Sequence, residues 1–210
     1  MAIPCHSHRR PRSGRLRSIL LPPIFFAAIW TQAAPTSEFT VGRLLVADAE
    51  MSDPRFNQTV IYMVTHDAKG AMGLVINRPM AKGPLKDLLK GFGIESEEAK
   101  GDVIIHYGGP VGTNAGFVLH SDDAMLDDST PVKDGIAMTA NAEIIEAMAR
   151  GKGPGQSLIL FGYAGWAPGQ LEGEIKAGAW HVVPADKKIV FGKDAEKKWH
   201  QAMDRRRISL

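Results

Sequence analysis

The side chains able to do chemistry are few in this chain and far apart in sequence. Cys5 is the single cysteine and lies ahead of the first apolar run, which excludes an intramolecular disulfide and a cysteine-based zinc site. No Gly-x-Ser-x-Gly elbow is present, and Cys5 is no credible nucleophile. His66 and His120 each end a predicted strand, where an imidazole can turn into a cleft or simply bond to the backbone. With His106 and an acid of Asp122-Asp123 they would make a metal set, yet no two of them have ligand spacing on one element. A cryptic hydrolase or metal-dependent enzyme using His66 and His120 stands as an alternative. No catalytic residue is assigned, and neither a metal nor another cofactor is expected.

Glycine-rich loops raise the question of phosphate binding, since the chain has 22 glycines. Gly108-Gly109-Pro110-Val111-Gly112 follows a predicted strand but departs from Gly-x-Gly-x-x-Gly, and its proline removes a backbone donor. Gly151-Lys152-Gly153-Pro154-Gly155 lacks the Lys-Ser/Thr pair of a nucleotide loop. Both read as turns. The densest polar and aromatic block is Gly162-Tyr163-Ala164-Gly165-Trp166-Ala167-Pro168-Gly169-Gln170-Leu171-Glu172. There a strand ends, glycines let the backbone turn, and a helix begins with free N–H groups that can hold an anion or carbonyl against Trp166. The alternative is a packed corner in which Trp166 fills the core and Gln170 or Glu172 satisfies the helix end. The candidate binding residues are Tyr163, Trp166, Gln170 and Glu172, together with Asn77, Arg78, Gly108 and Gly109. Their three turn-rich segments are expected to converge.

Short apolar strands and a few helices must position these residues. Residues 41–47, 59–65, 71–77, 103–107, 115–120, 157–163, 180–183 and 188–191 read as strands, and 136–139 leads into a helix. Asp67-Ala68-Lys69-Gly70 is a hairpin-like loop, and Asp53-Pro54 and Asn77-Arg78-Pro79 are breaks. Helices are predicted over 85–91, over 142–149, from Pro168 through Ile175, and over 194–207. Strands and helices mix without a strict strand–helix–strand rhythm, so the class is α+β.

The 210 residues, 44% hydrophobic and 23% charged, suit one domain with a real core and exclude a disordered or multi-span membrane chain. The formal charge of +2 is unevenly spread. Residues 1–34 hold Arg9, Arg10, Arg12, Arg15 and Arg17 and no acid, which leaves 20 basic against 23 acidic residues elsewhere, a net of −3. A slightly acidic body does not favour nucleic acid as a partner. Arg205-Arg206-Arg207 complements the dipole of a terminal helix and keeps it solvated. The basic start, the apolar run over 19–30 and the small residues after it have the order of a secretory signal cleaved after Ala33 or Ala34. That run is shorter than the about 20 residues a membrane span needs, so no span is expected in the mature chain. The division is therefore a signal peptide at 1–34, a short linker at 35–40 and a single domain at 41–210. The expected location is the periplasm, and the alternative is the cytoplasm with the extension uncleaved.

Taken in order, these segments resemble the AlgH/YqgE family of bacterial proteins. The resemblance rests on Gly42-Arg43-Leu44-Leu45-Val46-Ala47, Met51-Ser52-Asp53-Pro54-Arg55-Phe56, Thr59-Val60-Ile61-Tyr62 with His66, and the run from Gly70 to Pro79. Gly108-Gly109-Pro110-Val111, Gly116-Phe117-Val118-Leu119-His120 and the block from Gly162 to Glu172 through Trp180 complete it, over roughly residues 40–205. It implies an α+β fold with a bifurcated mixed β-sheet, part of it a small barrel, surrounded by helices. It implies no enzyme activity, since none is established for the family as a whole. A role in transcription is attached to the name, but no helix-turn-helix or basic groove is visible here. Typical members begin almost at the Gly42 block, so the signal-like extension is a departure. The expected function is a non-enzymatic, exported domain that binds an unidentified small ligand or protein partner. The remaining alternative is a cytoplasmic, transcription-linked regulator.

Overall fold

Runs of β-branched and apolar residues build the sheet around which the candidate residues lie. The structure, a computed structural model, describes residues 40–208. The expected signal peptide and residues 35–39 of the linker lie outside the described residues. The strands are β1 (Arg43–Ala47), β2 (Val60–Asp67), β3 (Gly70–Val75), β4 (Pro79–Pro84), β5 (Asp102–Tyr107), β6 (Val111–Ser121), β7 (Thr130–Lys133), β8 (Ile136–Thr139), β9 (Ser157–Trp166) and β10 (Trp180–Pro184). The α-helices are α1 (Leu85–Gly91), α2 (Glu143–Ala149), α3 (Gln170–Lys176), α4 (Lys187–Val190) and α5 (Ala195–Ile208). The class is α+β, as expected.

The main sheet runs β10-β1-β2-β3-β9-β6-β8-β7 with every neighbouring pair antiparallel. Strand β9 is its hub. Its C-terminal half pairs with β3 (Ala71↔Trp166, Gly73↔Ala164), while its N-terminal half runs parallel to β5 (Ile105↔Ile159, Tyr107↔Phe161). Strand β4 then pairs with β5, and β6 lies beside β9 from Ser157 to Tyr163. At the change of neighbour the chain crosses itself closely. The Gly108 amide donates to the Phe161 carbonyl at 2.7 Å, and the Gly108 carbonyl accepts from the Val75 amide at 2.9 Å. A Cβ on Gly108 would lie 2.2 Å from the Gly162 oxygen, and one on Gly109 2.1 Å from the Tyr163 carbonyl carbon. Bare backbone is required there. The sheet also curls on itself. Its β7 end returns to the start of β1, where Lys133 touches Gly42 and its carbonyl accepts from the Tyr62 hydroxyl at 3.5 Å.

Alternation along the strands divides the core in two. Leu44, Val46, Val60, Tyr62 and Leu160 face one cluster, closed by Ile189 and Val190 of α4 and by Trp199 and Ala202 of α5. Leu45, Ala47, Ile61 and Met63 face the other, with Trp166, Trp180 and Leu171 of α3. A third cluster seats α1 and α2 through Leu85, Leu89, Ile144 and Ile145 on Val118 and Ile159. Burying a side chain such as Leu45 fully contributes about 1.5–3 kcal/mol.

Residues 188–191 are a correction. They belong to helix α4 and its end rather than a strand, because the Asp186 carboxylate accepts from the Lys188 amide at 2.8 Å and so caps a helical turn. Strands β4, β7 and β8 are additions to the expected set. Pro79 does stop β3, but the chain runs straight on into an edge strand, where a missing N–H is tolerated.

Candidate functional site

Strand β9 ends at Trp166, and Gly169, with φ 74°, turns the chain into α3. The Gln170 side-chain oxygen accepts from the Ala167 amide at 3.1 Å, in the turn ahead of the helix. The Gln170 amide donates to Glu174 Oε1 at 2.8 Å. Glu174 Oε2 accepts from both Trp166 Nε1 and Trp180 Nε1 at 2.8 Å, and the two indoles meet edge to face at 6.1 Å. One carboxylate thereby ties β9, α3 and β10 together. Glu172 Oε1 lies 3.1 Å from His66 Nε2, and His66 Nδ1 shares a hydrogen bond with the Thr40 hydroxyl.

That last chain of hydroxyl, imidazole and carboxylate has the make-up of a hydrolase triad. Both of its first two members are buried, Thr40 at 3% and His66 at 7% exposure. His120 lies in a different network, fully buried, with Nδ1 at 2.8 Å from the Ser121 carbonyl and Nε2 at 2.9 Å from Thr139 Oγ1. Among the described residues no group of three or more His, Cys, Asp or Glu could hold a metal ion.

Asn77 and Arg78 clasp the turn before β2. Asn77 Oδ1 accepts from the Val60 amide and its Nδ2 donates to the Gln58 carbonyl, both at 2.9 Å. Arg78 donates to the Asn57 carbonyl at 2.7 Å and to Thr59 Oγ1 at 3.0 Å. The Tyr107 amide donates to the Arg78 carbonyl, which sets this clasp beside Gly108-Gly109 and so beside Gly162-Tyr163 of β9. The structure thus brings Asn77, Arg78, Gly108, Gly109 and Tyr163 into one neighbourhood. Trp166, Gln170 and Glu172 form a second group, beginning three residues further along β9.

Two recesses flank this frame. An open groove of about 490 Å³ follows β3 and the end of β9, between Lys69, Met72, Tyr163 and Trp166. A cleft of about 630 Å³ lies at the start of β9 and is lined by His106. His106 Nδ1 is buried without a hydrogen-bond partner, and burial, then the charge of Lys198, hold this imidazole below the ordinary histidine range. The carbonyls of Ile159 and Ile104 pull the other way. Lys198 is 1% exposed and donates to the Ile76 and Val190 carbonyls at 2.9 and 2.7 Å. Burial pushes its ammonium down to about 8. Sequence reading singled out His106 only as a metal ligand and passed over Lys198. The signal for Lys198 is its place between Ala195 and Ala202, at i−3 and i+4, on the buried face of α5.

A curled mixed sheet whose corner residues hold one another defines a small α+β protein. The chain belongs to the AlgH-like family, since the family model described as DUF179, AlgH-like, matches residues 44–210. A UPF0301 protein of Methylococcus capsulatus is 46% identical over 164 residues, which is 78% of this chain and 90% of that protein. One of Caulobacter vibrioides is 46% identical over 169 residues, 79% of this chain and 86% of that protein. The solution structure of AlgH from Pseudomonas aeruginosa superposes with a TM-score of 0.69 at 38% identity, covering 83% of this chain and 91% of that one. A crystal structure from Corynebacterium diphtheriae, at 23% identity and a TM-score of 0.62 over 86% and 94% of the chains, shares the fold.

Proposed function

We propose that this chain is an exported binding domain and not a catalyst. The carrying observation is that the hydrogen-bonding groups of its motif block face one another: Glu174 takes both indoles and Gln170, and Glu172 takes His66. Catalysis by proton transfer needs such groups turned toward a substrate. The block instead supports a working surface, the groove beside Tyr163 and Trp166, where the half-buried Tyr163 ring suits a small ligand or a protein segment. The slightly acidic body supports such partners over nucleic acid. In fold terms, the same reading takes the parting of β3 and β5 from β9 as a bifurcation and the curled part as a small barrel.

Two experiments test the reading. A panel of ester, amide and phosphoester substrates should show no turnover by the purified protein beyond that of Thr40→Val and His66→Gln. Turnover lost in those two variants would make the domain a hydrolase. Export is tested by fractionating cells and weighing the intact protein. A periplasmic product beginning after Ala33 or Ala34 is expected, and a full-length cytosolic product would overturn it. No helix among the described residues is long and apolar enough to cross a membrane.

A further inference from the structure

A second recess, separate from the groove beside Tyr163, has the chemistry of a ligand site. The cleft of about 630 Å³ lies between β5, the start of β9 and the loop joining α4 to α5, a size common for small-molecule sites. His106 lines it, is 6% exposed, and keeps a buried Nδ1 without a partner. Near it stands Lys198, whose hydrogen-bond partners are two neutral carbonyls, so its positive charge is left to act on its surroundings. That charge already disfavours a proton on His106. At the rim Lys82 pairs with Asp102 at 3.2 Å, while exposed Lys193 has no carboxylate on it among the described residues. Ile104, Leu158 and Phe191 supply apolar wall.

We infer that this cleft binds a small organic anion, a carboxylate on a short apolar body, with the head at His106 and Lys193 and the body on Ile104, Leu158 and Phe191. Each part of the ligand answers one observation. His106 lines the cleft, and from the ring nitrogen that is not buried a neutral imidazole donates to a carboxylate oxygen. The field of Lys198 and Lys193 favours an anion and disfavours a cation. The apolar wall rewards a hydrocarbon body, which a bare inorganic anion lacks.

The test uses the whole chain labelled at its histidine nitrogens and titrated with octanoate, with octanol and octylammonium as neutral and cationic counterparts. Octanoate is expected to shift the His106 ring nitrogens saturably, and octanol to bind at least about tenfold more weakly. Octylammonium should leave those nitrogens unmoved. Lys193→Glu, a change at an exposed position, should weaken octanoate by about tenfold or more and leave octanol unaffected. His106→Ala should abolish octanoate binding measured by calorimetry, and where that variant does not fold, Lys193→Glu decides. Equal binding of octanoate and octanol would overturn the inference, as would indifference to Lys193→Glu. So would His106 nitrogens that do not move.

Discussion

At the scale of single residues, the buried side chains of Lys198 and His106 give pH signatures of definite sign. Burial lowers Lys198 from 10.5 to about 8. Between those values the unfolded chain holds a proton that the folded chain has released, so this residue makes the fold more stable as pH rises through the window. The shift corresponds to about 3 kcal/mol. Urea midpoints followed from neutral pH to 10.5 should rise in the wild type relative to Lys198→Met, and parallel curves would mean that the ammonium titrates normally. His106 is also lowered, by burial first and by Lys198 second. As pH falls through 6.5 the unfolded imidazole takes up a proton before the folded one, so stability declines toward acid. His106→Gln should flatten that decline, and an unchanged acid limb would show that His106 charges freely in the fold.

At the scale of elements, β9 imposes the strictest demands because three strands contact it along its length. Gly109→Ala would put a methyl group 2.1 Å from the Tyr163 backbone at a φ of 150°, and both steric clash and strain oppose it. A loss on the order of 4 kcal/mol in thermal or urea unfolding is expected. Gly169→Ala, at φ 74° with nothing within 4 Å, should cost only the left-handed strain, about 1 kcal/mol. Similar losses for the two would contradict the crossing described for Gly108-Gly109. This crossing joins residues more than fifty positions apart, so the Gly-Gly pair read from sequence alone as a turn. Strands β1, β2 and β3 were legible because their apolar runs are long. Helix α4 was not, since four residues carry no period and Asp186 alone marks its start. Strand β4 was hidden by its two prolines, which are tolerated only because it lies at an edge.

At the scale of the whole molecule, the motif block binds the sheet to its helices, and this explains what the sequence could and could not disclose about the site. The packed-corner alternative foresaw that Trp166 would enter the core, and it does, whereas the Gln170 side chain bonds the Ala167 amide ahead of α3 and caps none of the helix donors. That alternative missed Glu174, because a carboxylate shared by two indoles depends on β10 returning beside α3, a long-range contact no spacing reveals. On the proposed reading, the polar residues in and around this block, Glu174 and His66 among them, maintain the fold and do not carry out chemistry. Residues kept for chemistry commonly leave a protein more stable when replaced, whereas residues that hold a fold do the reverse. The most direct measurement is therefore the unfolding free energy of Glu174→Gln and His66→Gln against the wild type in urea. Each variant should lose on the order of 1–3 kcal/mol, the cost of leaving buried donors unmatched. Variants as stable as the wild type, or more stable, would contradict the claim and return the His66–Glu172 pair to the candidates for catalysis.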